Sequence, residues 1–145
     1  MRTLLFIASL CFSMFLKGQY ENSSQNWSRM ADISYAKSQD EYGEIYVPVF
    51  GEEVKKMEGK VVSLKGFIIP FEGMFEPKHV ILSSLPIAAC FFCGGSGPET
   101  VAEAYLEEEV EYTAKPVIIT GTMSLNSTDY NQLMYILKDA KVSIE

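Results

Sequence analysis

The feature that most constrains the fold is a pair of alternating segments that each carry a glycine in mid-run. Residues 60–72 read "KVVSLKGFIIPFE" and residues 115–125 read "KPVIITGTMSL". Both are rich in β-branched residues and alternate between two faces, which is typical of strands. Gly66 and Gly121 interrupt the two runs, and a glycine inside a strand marks a bend or a bulge, as a closing barrel needs. We therefore predict a small, strongly bent sheet.

Three further segments complete the predicted sheet. "HVILSSL" is a second strand that Pro86 stops, and "LMYILKDAKVSIE" is one strand, or two short strands bent near Asp139. "ETVAEAYLEEEVEY" has the composition of a helix and the alternation of a strand, and we favour a strand because its neighbours are strands. The chain is thus predicted to be mainly β, a five-stranded OB-like Greek-key barrel with little helix, and a small β-sandwich is the alternative.

The first 18 residues, "MRTLLFIASLCFSMFLKG", have the pattern of a secretory signal peptide. The apolar run from Leu4 to Leu16 would make about 20 Å of helix, which is short of the roughly 30 Å hydrocarbon core of a bilayer. Cleavage after Gly18 would leave Gln19 as the first residue. An uncleaved membrane anchor is the alternative. We predict an exported protein, periplasmic or secreted, without a transmembrane segment after signal cleavage.

Residues 19–44 are polar and lack a steady period, so we predict a loosely structured segment that Trp27 pins to the body. The OB-like domain then occupies residues 45–145. Gly51 to Glu58 can form about two helical turns, and Gly59 is a natural helix stop.

The charge of the chain argues against one class of partner. The net charge is −7, and loss of Arg2 and Lys17 with the signal peptide would leave ten basic residues against 19 acidic ones, a net charge of −9. Such a surface repels phosphate backbones, and the sequence has no compensating basic patch. Nucleic acid is therefore not an expected partner.

The motif "CFFCGG" at residues 90–95 is the most distinctive element of the chain. Loss of the signal peptide leaves Cys90 and Cys93 as the only cysteines, and in an oxidising compartment these can pair in a structural disulfide. The loop closed by that bond is short, so chain entropy gives it only about 2 kcal/mol of stabilisation. The glycines that follow are expected to permit positive φ angles.

Zinc binding is a second hypothesis for the cysteine pair. Two thiolates at this spacing can bind one ion, but tetrahedral zinc takes about four ligands. The site would need Cys90, Cys93, His79, which is the only histidine, and a carboxylate such as Glu99.

Thiol–disulfide exchange is a third hypothesis. A redox C-x-x-C motif usually lies at a helix N-terminus, which lowers the pKa of the first thiol. Here glycines follow Cys93 directly, and no basic residue lies between Pro86 and Ala114. Hydrolytic catalysis has less support, because no serine lies in a nucleophile elbow. An enzymatic role is therefore not favoured, and we assign no catalytic residue.

Phe91 and Phe92 lie between the two cysteines. If both thiols face one way, at least one of the phenylalanines must point outward. An exposed aromatic ring on a rigid loop can contact a partner. The alternative is that both rings close one end of the barrel.

Several phrases taken together resemble a known family. "EGKVVSLKGFIIPFE", "ILSSLPIAACFFCGGSGPE", "PVIITGTMSLN" and "YILKDAKV" are similar to an uncharacterised family of exported bacterial proteins, the domain of unknown function 3299. The similarity covers roughly residues 45 to 144, and the cysteine block is its most specific part. The resemblance implies a secreted or periplasmic OB-like domain and supplies no activity or catalytic residue.

The sequence thus leads to one main functional hypothesis. We expect an exported, non-enzymatic OB-like domain that binds a cell-envelope protein or a small ligand, since OB-like barrels commonly bind along one sheet face and its loops. A metal-handling protein that uses zinc and a thiol–disulfide accessory protein are the alternatives.

Overall fold

The structure is a computed structural model, and it describes residues 23, 25–70 and 76–144. This part of the chain contains seven strands: β1 (Ile33–Asp40), β2 (Gly43–Phe50), β3 (Val61–Ile69), β4 (His79–Ser83), β5 (Val101–Leu106), β6 (Val117–Leu125) and β7 (Tyr135–Ile144). Residues 25–30 are helical, and a short helix spans Glu52–Lys55. The predicted signal peptide, residues 1–18, lies outside the described residues.

Strands β3 to β7 form a closed barrel in the order β3-β4-β5-β7-β6, with β3 paired again with β6. The pair β5–β7 is parallel and the other pairs are antiparallel. This is a small five-stranded barrel of the OB type. The prediction of the fold class is confirmed, and all five predicted strands are present.

The core follows the alternation of the sequence. In β3 the inward positions are Val62, Leu64, Gly66 and Ile68, which are all buried. A Cβ atom on Gly66 would lie 2.2 Å from the carbonyl oxygen of Ser83 on β4, so only glycine allows the two backbones to approach this closely. Glycine at this position thus allows two barrel strands to pack closely, and the predicted bend or bulge at Gly66 stays a prediction.

The last strand, β7, is a single strand, and it is irregular near Asp139, where a bend is predicted. Asp139 has a φ angle of 48°, which is unusual for a residue with a side chain. The register of β7 against β6 shifts between Thr120 and Thr122, opposite this residue. A bulge of this kind increases the twist of the pair, which helps the barrel to close.

The N-terminal segment is more ordered than the sequence predicts. In place of a loose stretch up to residue 44, β1 and β2 form a hairpin with continuous register from Ile33–Phe50 to Asp40–Gly43. The hairpin also crosses the predicted domain boundary at residue 45. Because six of the eight residues of β1 are exposed, its sequence carries no buried face, and periodicity could not reveal the strand.

Three side-chain contacts attach the segment before the hairpin to the barrel. Trp27 donates an indole hydrogen bond of 2.8 Å to the carbonyl oxygen of Lys65, and the amide of Asn26 donates to that of Ser63. The hydroxyl of the buried Tyr135 donates to the carbonyl oxygen of Met30. The prediction that Trp27 pins this segment is confirmed. Among the described residues, the helices are too short to cross a bilayer.

Candidate functional site

The cysteine loop connects β4 to β5 through three 3-10 turns, Ile87–Ala89, Phe91–Cys93 and Pro98–Thr100. The carbonyl oxygen of Cys90 accepts hydrogen bonds from the backbone N–H groups of Cys93 and Gly95. Gly94 ends the central turn with a φ angle of 77°, a left-handed conformation that glycine adopts without strain. The expected role of the glycines is confirmed at this position.

The two thiols lie side by side and are not joined by a disulfide bond. Cys90 is fully buried and Cys93 is exposed. Their sulfur atoms are 4.0 Å apart, whereas a disulfide bond is about 2.05 Å long. The loop therefore brings the two sulfurs close, and the oxidation of this pair stays a prediction.

The environment of Cys93 disfavours its thiolate. The hydrogen bond with Cys90 is the main cause that raises the pKa of the Cys93 thiol above its ordinary value, and desolvation adds to it. A raised pKa leaves less thiolate at neutral pH, and the thiolate is the nucleophile. This geometry does not favour rapid thiol exchange.

The four residues of the zinc hypothesis do not meet in one place. Among the described residues, no three histidine, cysteine or acidic side chains form a group that could hold a metal ion. His79 instead lies 2.5 Å from the carboxylate of Glu103. Glu99 lies in the last 3-10 turn of the cysteine loop, Pro98–Thr100, directly before β5.

The two phenylalanines of the cysteine loop have different environments. Their rings make an edge-to-face contact with centroids 5.2 Å apart, a favourable aromatic geometry. Phe91 is half-buried, whereas Phe92 is 41% exposed. Phe92 also lines a pocket beside the barrel, so the loop contributes an aromatic wall to a cavity.

This pocket lies on the outer face of β4 and β5 and has a volume of about 370 Å³. Its floor is formed by His79 and Ile81 of β4 and Glu103 of β5, and Glu76 lies at one side. The loop of residues 126–134 between β6 and β7 contributes the facing wall. A volume of this size falls in the range of small-molecule sites, about 300–1,000 Å³.

A buried carboxylate organises the floor of the pocket. The side chain of Glu103 is only 5% exposed. It lies 2.5 Å from His79 Nε2 and accepts a hydrogen bond of 2.9 Å from the hydroxyl of Tyr105. Its second oxygen accepts a hydrogen bond of 2.9 Å from the backbone N–H of Leu133. Because a buried charge is costly unless it is paired and hydrogen-bonded, these contacts fix the loop of residues 126–134 onto β5.

Tyr105 extends this network. Its ring stacks on the ring of His79 with centroids 4.4 Å apart and planes 8° from parallel. Its hydroxyl oxygen accepts a hydrogen bond from the amide of Gln132. Burial is the main cause that raises the pKa of Tyr105, so the phenol stays protonated and donates to Glu103.

Asn126 shapes the loop from within. Its amide nitrogen lies within hydrogen-bond distance of the carbonyl oxygens of Asp129, Gln132 and Leu133. Its amide oxygen accepts from the backbone N–H groups of Thr128 and Asp129. The side chain of Asn126 thus provides hydrogen-bond partners for much of the backbone of this turn. These contacts hold the loop in the shape that forms the wall of the pocket.

No sequence pattern predicted Glu103, Gln132 or Asn126 as site residues. A signal for Glu103 exists, because this acid lies inside a predicted strand between Ala102 and Ala104, and a buried acid requires partners. The partners come from other elements, and the sequence does not show which elements meet. Of the residues that were predicted, His79 and Phe92 line the pocket.

Comparisons with known proteins give few matches. No protein-family model matches the chain, and no curated protein matches it. Among the solved structures, the chain is similar to a DUF3299 family protein from Pseudomonas aeruginosa PAO1, with 17% sequence identity and a TM-score of 0.47. The match covers 61% of this chain and 63% of that protein. The family of the matched protein is the one that the sequence phrases resemble.

Proposed function

We propose that this protein is an exported, non-enzymatic OB-like binding domain that takes a small ligand in the pocket on the outer face of β4 and β5. The observation that carries the proposal is the position of this cavity on the barrel. OB folds bind ligands on the face of their second and third strands, between the loop that joins strands one and two and the loop that joins strands four and five.

The topology supports this assignment. In the barrel, β4 and β5 are the second and third strands. Glu76 belongs to the first of the two loops, and the loop of residues 126–134 is the second. Because both loops border the cavity, the pocket lies at the position where OB folds bind their ligands.

The chemistry of the wall also supports binding. Ile69, Ile81 and Leu133 provide apolar surface, and His79 and Gln132 place polar groups beside it. Ligand sites commonly combine a mostly apolar wall with a few placed polar groups. The hydrogen bonds of Glu103 make this arrangement preformed, which lowers the entropic cost of binding.

Action in the cell envelope is part of the proposal. The support is the signal-like pattern of residues 1–18 and the acidic composition of the rest of the chain. Detection of the protein in the periplasmic or culture fraction, with Gln19 as its first residue, would test this part directly.

The cysteine pair supports a second candidate, a metal-handling function. Two thiolates on one tetrahedral zinc ion, with bonds of about 2.3 Å, would lie about 3.8 Å apart, and the sulfurs of Cys90 and Cys93 are 4.0 Å apart. Elemental analysis after anaerobic purification tests this candidate. A protein free of zinc under those conditions would contradict it.

The binding proposal is tested with the protein as purified from its expressing host, labelled with ¹⁵N and mixed with a panel of neutral aromatic fragments. We expect amide shifts to concentrate at Ile81, Glu103 and Leu133. Ile81→Trp should fill the cavity and abolish the shifts. Val49→Trp is the matched control, since Val49 is an exposed residue of the N-terminal hairpin. Shifts that cluster elsewhere, or that survive Ile81→Trp, would contradict the proposal.

A further inference from the structure

We infer that the pocket on β4 and β5 is selective for an organic ammonium ion, that is, a protonated amine attached to an apolar body. This inference rests on the proposed function, because it assumes that the pocket binds a ligand, and it adds the chemical class of that ligand. Three properties of the wall support it.

The first property is charge. Two carboxylates, those of Glu76 and Glu103, line the pocket, and none of the described residues around it is a lysine or an arginine. The chain as a whole carries a net charge of −7, so its field favours the approach of cations. An anionic ligand would meet repulsion from both carboxylates.

The second property is an acceptor at the rim. The side chain of Glu76 is 75% exposed, and an ionised carboxylate only accepts hydrogen bonds. Its oxygen lies 3.9 Å from Nδ1 of His79, which is longer than a hydrogen bond. An ammonium group at the rim can therefore donate a charge-assisted hydrogen bond to Glu76.

The third property is the aromatic surface around this acceptor. Phe92 and Tyr130 line the pocket and are 41% and 68% exposed. Aromatic faces attract ammonium ions and also pack against apolar groups. Leu133 and Ile81 continue the apolar wall. The pocket therefore offers a polar end for the ammonium group and an apolar body for the carbon skeleton.

Three probes of one shape test this inference: benzylamine, benzyl alcohol and benzoate, titrated at pH 7 and followed by the amide shifts of Ile81, Glu103 and Leu133. We expect benzylamine to bind about tenfold more tightly than benzyl alcohol, because its hydrogen bonds are charge-assisted. Benzoate should bind more weakly than both. Nα-acetyl-lysine amide, compared with benzylamine, shows whether the ammonium group of a protein side chain or that of a free amine is preferred.

Matched charge variants separate the pocket from the overall charge. Glu76→Gln should lower the affinity for benzylamine about threefold, the scale of an exposed ion pair, and leave benzyl alcohol unchanged. Glu41→Gln removes the same charge in the turn between β1 and β2 and should leave both affinities unchanged.

Each contrary result has a distinct meaning. If benzyl alcohol binds as tightly as benzylamine, the selectivity for ammonium is wrong and the binding proposal stands. Equal effects of Glu76→Gln and Glu41→Gln also overturn the inference, because the whole surface and not the pocket would then attract the amine. If none of the probes shifts the pocket amides, the inference and the binding proposal both fail.

Discussion

The cysteine loop and the pocket beside it share Phe92, yet different interactions stabilise them. The loop is shaped by turns between residues that are close in sequence. In these turns the carbonyl oxygen of Cys90 accepts hydrogen bonds from the backbone N–H groups of Cys93 and Gly95. The pocket depends on Glu103, whose partners His79 and Leu133 lie 24 and 30 positions away. A local motif can be recognised in the sequence, whereas a site assembled from three elements appears only once the strands are placed.

Because of this difference, we expect substitutions in the pocket network to lower the free energy of unfolding more than substitutions in the cysteine loop. The largest effect is expected for Glu103→Ala, because it leaves three buried or half-buried donors without their acceptor. We expect a loss of about 3 kcal/mol in the free energy of unfolding, measured with urea. Glu103→Gln keeps one acceptor oxygen and should cost less. A loss below about 0.5 kcal/mol for the alanine variant would show that the network does not stabilise the fold.

The cysteine pair should contribute less to the free energy of unfolding, and only when it is oxidised to a disulfide. In protein purified without reductant, we expect thiol titration to find the two cysteines only after a reductant is added. The disulfide should then stabilise the fold by about 2 kcal/mol, and Cys93→Ser should lose that amount. With reductant present, the variant and the parent should unfold alike. Two free thiols before reduction would contradict the disulfide prediction.

Asn126→Asp tests the loop that forms the facing wall of the pocket. The variant keeps the acceptor oxygen but loses the donors to three carbonyl oxygens, and its charge faces those oxygens. We expect a loss of about 1 kcal/mol in the free energy of unfolding and faster hydrogen exchange at the Leu133 amide. Gln39→Glu makes the corresponding change of amide to carboxylate at an exposed position of β1 and is the control. Equal exchange rates in the two variants would contradict a special role for Asn126.

The smallest effect concerns the reactivity of Cys93. Because the pKa of its thiol is raised from the ordinary value of 9.0, the thiolate fraction at any given pH is lower than in a free cysteine. Iodoacetamide should therefore alkylate Cys93 in the reduced protein with a midpoint above pH 9. Cys90→Ala removes the hydrogen bond and should lower the midpoint. A midpoint below that of a free cysteine would instead support the thiol-exchange hypothesis.

The barrel could be predicted from the sequence because its signals are local. Alternation predicted the strands, and the bend near Asp139 is present as a bulge. The hairpin of β1 and β2 could not be predicted in this way, because it is exposed on both faces over much of its length. Its backbone pairing is continuous, and Ile33 and Phe50 at its base pack against the core, but these contacts depend on the folded barrel.

The candidate site could be predicted only in part. The spacing of Cys90 and Cys93 identified the loop, and of the two alternatives for its phenylalanines the structure shows an exposed ring at Phe92. The partner of His79 could not be predicted, since His79 and Glu103 become neighbours through the pairing of β4 with β5. The role of Asn126 in the loop could not be predicted, because its five contacts with backbone groups depend on the folded loop.

The hydrogen bond between Tyr135 and Met30 joins residues 105 positions apart. A chain that emerges N-terminus first, from a ribosome or through a membrane channel, exposes Met30 long before Tyr135 appears. The segment around Met30 therefore has to wait for the final strand before its buried contacts can form, and contacts so distant in sequence slow folding. The last step in the folding of this domain should thus be the packing of the segment around Met30 against β7. A chaperone that covers the early N-terminal segment would then speed the recovery of native protein.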